Sequence, residues 1–152
     1  MRRAGADAFQ SASVALVTAS LIASVASTLG ASWLTDVTVL KQNAETALAK
    51  ASQDFIIYPQ STFFLIAPWL AMAWLIFKSR HERRKLRCLL PYFLASVTIT
   101  YLYVDAQLAA AAYLQRQMWT AAALATGFPI FYAIGLVTIA ALISRFMSRS
   151  AS

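Results

Sequence analysis

Four stretches of the sequence are long and apolar enough to cross a membrane. They cover about 11–34, 59–77, 89–110 and 121–143. A helix of about 20 mostly apolar residues spans roughly 30 Å of hydrocarbon. The pattern therefore predicts an all-α integral membrane protein, with a single domain over 1–152 built as a bundle of four transmembrane helices.

The connection between the first two stretches has a helical pattern of its own. Apolar residues recur at helical spacing from Val37 to Phe55, and the connection contains no glycine and no proline before Pro59. Thr35 or Asp36 can cap a helix at its start. We therefore predict an amphipathic helix over about 36–55 in the first extracytoplasmic loop, either lying in the membrane interface or projecting from the first span.

Basic residues lie mostly on one side of this predicted topology. Arginines stand near both termini, and the loop between the second and third stretches contains Arg80, Arg83, Arg84, Lys85 and Arg87. Short loops rich in lysine and arginine stay in the cytoplasm. We therefore expect both termini and this loop to be cytoplasmic, in a bacterial inner membrane, with the basic residues near anionic lipid head groups.

The first 31 residues also allow a different interpretation, a cleaved signal peptide. Arg2 and Arg3 would form its basic start, and 14–29 would form its apolar core. Leu29 and Ala31 would then occupy the recognition positions of the cleavage site, where small residues are preferred at both. Leu29 fits poorly, and Val25 with Ser27 fits better but ends the apolar core early. An uncleaved first span is therefore the favoured interpretation.

The first span is rich in small residues at four-residue spacing. Residues of this kind let helix backbones approach closely in a membrane. We therefore expect this helix to pack against other helices, in this chain or in a partner. The predicted packing positions are Ala19, Ser20, Ala23, Ser24, Ser27 and Ala31.

The second and fourth spans each contain an interior proline. Proline has no N–H, so Pro68 and Pro129 free the carbonyls of Phe64 and Ala125 and are predicted to kink their helices. The second span is also bulky and aromatic, and we expect much of its surface to face lipid.

The third span is the most polar of the four. On a helical wheel one arc carries Thr98, Tyr101 and Asp105, and the nearly opposite arc carries Ser96, Thr100, Tyr103 and Gln107. A helix that is polar on both sides is poorly suited to lipid. We therefore predict that this helix is the most enclosed one and that its hydroxyls bond to those of the first helix.

Asp105 is the one carboxylate within a predicted span. It lies roughly 24 Å along the helix from Leu89, in the outer part of the membrane. Three interpretations stay open: a proton or cation site, a salt bridge to a partner subunit, or an interfacial carboxylate bonded to Tyr101 or paired with Arg116 or Lys41. With Thr98, Tyr101 and Gln107 it forms the candidate intramembrane polar site.

Catalytic and metal-binding motifs are missing from the sequence. The single cysteine, Cys88, excludes an internal disulfide, and the single histidine, His81, lies in the basic loop. The sequence has no nucleophile elbow, no phosphate-binding glycine loop and no metalloprotease motif. We therefore expect no enzyme activity, no cofactor and no metal, and the lack of an aromatic-interleaved basic face argues against nucleic acid.

The predicted four-span topology resembles that of several small families. These include transporter small subunits, immunity proteins against pore-forming toxins, and accessory subunits of respiratory or photosynthetic complexes. The favoured hypothesis is a non-catalytic accessory or assembly subunit that binds other subunits, or further copies of itself, by helix–helix contacts. The alternative is a small transporter or channel component with Asp105 near the ion or proton path, and the third is an immunity-type protein.

Overall fold

Every element that the computed structural model describes is helical. It describes residues 2–57, 59–79 and 86–149. Helix α1 is Arg2–Thr38, α2 is Ala44–Ile57, and α3 is Pro59–Ser79. A short 3₁₀ helix, Leu86–Leu89, leads into α4, Leu90–Gln115, which is followed by α5, Trp119–Gly127, and α6, Pro129–Arg149. The prediction of an all-helical protein is confirmed for these residues.

Three helical runs within the described residues are long and apolar enough to cross a membrane. They are Asp7–Thr38, Leu86–Gln115 and Trp119–Arg149. Helix α3 contains a shorter apolar stretch, Ile66–Lys78. These lengths and compositions are compatible with an integral membrane protein.

The end of the first helix differs from the prediction. Thr35 and Asp36 do not cap the next helix but lie in the last turns of α1, where the Val39 N–H donates to the Thr35 carbonyl at 2.8 Å. The chain turns only at Lys41, whose φ is 52°, and α2 begins at Ala44. The predicted cap is therefore wrong, because α1 continues its own backbone hydrogen bonds past both residues.

Helix α4 ends in a Schellman motif. The Gln117 N–H donates to the Leu114 carbonyl at 3.0 Å, and the Met118 N–H donates to the Tyr113 carbonyl at 2.9 Å. Gln117 occupies the left-handed position, with φ 58°, where glycine is most common. This compact stop leaves a short connection to α5, so α4 and the α5–α6 run form a helical hairpin.

The two interior prolines lie in different backbone settings. Helix α3 runs without a break through Pro68. The fourth apolar stretch is instead interrupted at Phe128, directly before Pro129, and this interruption separates α5 from α6. The Phe128 N–H still donates to the Leu124 carbonyl, and the Phe131 N–H donates to the Phe128 carbonyl.

A shared core holds the long helices together. Helix α1 contacts α3 and α4, and α6 contacts α3 and α4. The buried core residues on these four helices and on the 3₁₀ helix are Phe9, Trp69, Met72, Ile76, Leu89, Tyr92, Ala95, Ile99, Tyr103, Ala133, Val137 and Ala140. Helix α4 is the most enclosed of the three candidate spans, with 44% of its apolar window buried against 11% for the α1 run and 22% for the α5–α6 run.

Candidate functional site on helix α4

The α1–α4 contact fixes the depth of the candidate polar residues. The Ser20 and Ser96 hydroxyls lie 2.9 Å apart, 76 positions apart in the chain. About ten residues further along both helices, Gly30 of α1 and Gln107 of α4 line one groove, so the helices run parallel. Asp105 therefore lies level with Leu29, about 6 Å further into the span than Trp33, since a helix rises about 1.5 Å per residue.

Asp105 faces away from the core that the helices share. Its side chain is exposed, as are those of Thr98 and Tyr101, and Tyr101 has 67% of its surface accessible. The Thr98 hydroxyl donates to the Leu94 carbonyl of its own helix at 2.9 Å. Thr98, Tyr101 and Asp105 therefore form an exposed polar face of α4, which we call the outer face.

Asp105 has no ion-pair partner within the part of the chain that the structure describes. The one salt bridge found there joins Lys50 to Asp36. Arg116 and Lys41, the two predicted partners, are both exposed and do not form an ion pair with Asp105. Tyr101, one turn before, does not form a hydrogen bond with it either. The described residues thus do not support the interpretation in which Asp105 is bonded to Tyr101 or paired with Arg116 or Lys41.

The opposite side of α4 packs inward. Ser96 and Tyr103 are buried, and Gln107 is half-buried. Gln107 lines a groove of about 240 Å³ between α4 and the small residues of α1 near Gly30. Gln107 therefore does not share the outer face with Asp105, and the four candidate residues are divided between two sides of the helix.

The expected hydroxyl contact between the first and third spans occurs at one pair. Ser20 and Ser96 share a buried hydrogen bond. The Thr100 hydroxyl donates instead to the Ser96 carbonyl, one turn earlier in its own helix. The Ser24 hydroxyl likewise bonds within α1, to the Leu21 carbonyl. Most hydroxyls of this interface therefore satisfy themselves locally, and small size rather than cross-helix bonding lets α1 lie close to α4.

The small residues of α1 occupy different environments. Ser20, Ser24 and Ala31 are buried, Ala23 and Ser27 are half-buried, and Ala19 is exposed. The buried positions continue along one stripe with Phe9 and Ser13. Other positions of α1, including Ala15, Thr18, Ala26 and Gly30, are exposed.

A buried aromatic pair joins α3 to α4. The Trp69 and Tyr103 ring centroids lie 5.0 Å apart at an interplanar angle of 66°, an edge-to-face arrangement. The Trp69 Nε1 and the Tyr103 hydroxyl oxygen are both buried and have no hydrogen-bond partner among the described residues. The aromatic residues of the second span were expected to face mainly lipid. Trp69 is an exception, because its ring lies in the core and packs edge-to-face against Tyr103 of α4.

An ion pair links α1 to α2. The Lys50 Nζ lies 3.1 Å from Asp36 Oδ1, and the Asp36 side chain is only 8% exposed. The Trp33 Nε1 also donates to the Ala44 carbonyl at the start of α2. Ala47 and Ala51 give α2 its buried side. The pair was not predicted, although Asp36 and Lys50 are opposite charges within the same predicted helical connection.

The remaining predicted sites are only partly described. Arg80, Arg83, Arg84 and Lys85 lie outside the described residues. Arg87 lies in the 3₁₀ helix before α4, and its side chain is exposed. No group of three or more metal-ligating side chains occurs within the described ranges, and Cys88 there is buried as a free thiol.

Comparison with known protein families, with curated protein sequences and with solved structures found no match to this chain.

Proposed function

We propose that this protein is a non-catalytic accessory or assembly subunit of a larger membrane complex, which it joins by helix–helix contacts. The observation that carries the proposal is the outer face of α4. The most enclosed of the three candidate spans directs Asp105 outward, without an ion pair to any described residue.

Leaving Asp105 against lipid is unfavourable. A carboxylate costs about 2.5–3.5 kcal/mol at the centre of a membrane span and less near the interface. Ionisable residues in spans almost always face a bundle interior, a water-filled cavity or a partner. A membrane helix of another subunit that carries a basic or hydrogen-bonding side chain at this depth would remove that cost.

The proposed topology has four spans with α3 as the second, α2 outside the cytoplasm, and both termini inside, in a bacterial inner membrane. Helix α3 has 21 residues, about 30 Å, and packs beside α1 and α6. A cysteine introduced by Arg83→Cys should be shielded from an impermeant thiol reagent added to intact cells. A cysteine introduced by Gln117→Cys should be labelled, and the reverse pattern would contradict this topology.

The subunit proposal is tested by purifying the tagged chain from its native membrane in a gentle detergent, followed by native mass spectrometry. We expect stoichiometric retention of a membrane partner or of further copies. Asp105→Asn should lower that retention roughly three- to tenfold, the range of interhelical polar contacts in membranes. Glu45→Gln, an exposed acid on α2, is the matched control and should leave retention unchanged. A chain that is always recovered alone would contradict the proposal.

A second candidate function is a transporter or channel component. The outward position of Asp105 favours this function only for an assembly in which the outer faces of several copies surround an ion or proton path. Asp105→Asn should then abolish pH- or ion-dependent flux in proteoliposomes that contain the purified chain alone.

The immunity-type hypothesis stays a prediction. A deletion that harms cells only when a neighbouring toxin gene is present would favour it.

A further inference from the structure

A groove between α1 and α3 opens on the surface of the molecule near the basic loop. Its volume is about 390 Å³. Helix α1 contributes Val14, Val17 and Thr18 to its walls, and α3 contributes Ala73, Trp74 and Phe77. Nearly all of these side chains are apolar, so the groove suits a hydrocarbon chain better than a polar ligand.

A positive charge stands at one end of this groove. The Lys78 Nζ lies 5.1 Å from the centroid of the Trp74 ring, in a cation–π arrangement. Lys78 follows Phe77 on α3 and is exposed. Its ammonium group carries three N–H donors, and contact with the ring face leaves donors available to an anion. The lysine is therefore held at the rim of the groove, where α3 reaches the basic loop.

The level of the groove matches one leaflet of a membrane. Since Ser20 lies level with Ser96, Ser13 at the groove lies level with Leu89, directly before α4. Tryptophan is typical of the membrane–water interface, and Trp33 lies 20 residues further along α1, about 30 Å away, near the other end of the candidate span. The groove thus begins at the boundary nearest the basic loop and continues into the hydrocarbon of that leaflet.

We propose that this groove, with Lys78 at its rim, binds one anionic phospholipid of the leaflet that faces the basic loop. An acyl chain lies between α1 and α3 against Trp74, and the phosphate accepts hydrogen bonds from the Lys78 ammonium. Basic pockets between membrane helices on the cytoplasmic side bind anionic head groups for the same electrostatic reason. The site depends on membrane insertion and is independent of the proposed subunit role.

Trp74 itself can report the bound lipid. The chain has four tryptophans. The double substitution Trp33→Phe and Trp119→Phe leaves Trp74, which is 62% exposed, and Trp69, which is buried and shielded from lipid. This variant is reconstituted in phosphatidylcholine vesicles that contain a small fixed fraction of phospholipid with brominated acyl chains, either phosphatidylglycerol or phosphatidylcholine. Bromine quenches tryptophan only at close range, so quenching measures occupancy of the groove.

We expect brominated phosphatidylglycerol to occupy the site about fivefold more than brominated phosphatidylcholine at the same fraction, the effect of one basic residue near the surface. Lys78→Gln should abolish this preference. Thr18→Leu should reduce quenching by both lipids, because the larger leucine side chain at this exposed position on the groove wall then fills part of the groove. Arg145→Gln, an exposed basic residue on α6, is the matched control and should preserve the preference.

Two results would overturn the proposal. Equal quenching by the two lipids would mean that ordinary bulk lipid covers the groove. An equal loss of preference in Arg145→Gln and Lys78→Gln would mean that the general basic charge of the protein, and no built site, attracts anionic lipid.

Discussion

The two sides of α4 contain similar residue types but occupy opposite environments. The inner side places Ser96 and Tyr103 in the core, with Ser96 bonded to Ser20 of α1. The outer face exposes Thr98, Tyr101 and Asp105. Two positions along the helix separate Tyr103, which is 4% exposed, from Tyr101, which is 67% exposed.

The difference shows that polarity alone does not decide which side of this candidate membrane helix is enclosed. In lipid there is little hydrophobic drive between helices, so close packing, interhelical hydrogen bonds and small residues favour association. The inner side of α4 meets α1, which offers serine and alanine, and α3, which offers the flat ring of Trp69. The outer face carries Asp105, the one charged residue of α4, and its side chains are exposed.

The largest expected effect on the comparison of the two sides of α4 comes from replacing Tyr103 and Tyr101, one at a time, by alanine. Tyr103→Ala should destabilise the protein by about 2 kcal/mol, because it leaves a cavity against Trp69. The loss is smaller than in a water-soluble protein, because the tyrosine ring of the unfolded chain lies in lipid or detergent rather than in water. Tyr101→Ala should change stability by less than about 0.5 kcal/mol. Reversible unfolding in detergent with increasing denaturing surfactant measures both. Equal losses would contradict the assignment of the two sides.

A smaller effect is expected at the contact between α1 and α4. A double-mutant cycle of Ser20→Ala and Ser96→Ala should give a coupling energy of about 0.6 kcal/mol, the average for interhelical hydrogen bonds in a membrane protein. A cycle of Ser20→Ala with Thr98→Ala should give none, because the Thr98 hydroxyl bonds to its own helix on the outer face. Coupling of the same size in both cycles would refute the contact.

The smallest effect concerns the Tyr103 hydroxyl. Its oxygen is buried without a partner among the described residues, so Tyr103→Phe removes a polar group that no protein bond stabilises. The substitution should be neutral or slightly stabilising. Tyr101→Phe, on the outer face, is the control and should be neutral in stability. A loss of about 1 kcal/mol in Tyr103→Phe would instead indicate a hydrogen bond to an internal water.

The candidate site could be found from the sequence but not oriented by it. Asp105 stands out as a carboxylate in an apolar stretch, and helical spacing correctly groups it with Thr98 and Tyr101. Spacing cannot say which group faces the core, because a wheel gives angles relative to the helix itself and not to its neighbours. Gln107 already stood on the opposite arc of the same wheel, and the structure places it beside α1, away from Asp105. The Trp69–Tyr103 pair was missed because its two members are far apart in the chain.

The sequence by itself determined the helical class of this protein, the approximate positions of its helices and the clustering of its basic residues outside the long apolar runs. These follow from local properties, the length of apolar runs and the backbone hydrogen bonds that a helix satisfies within itself. Only the tertiary structure decided that α1 continues through Asp36 to pair with Lys50 on α2, that Tyr103 meets Trp69, and that Asp105 faces outward. Each of these depends on which helices are neighbours and on how each helix is rotated about its axis. Close packing between distant segments of the chain determines both.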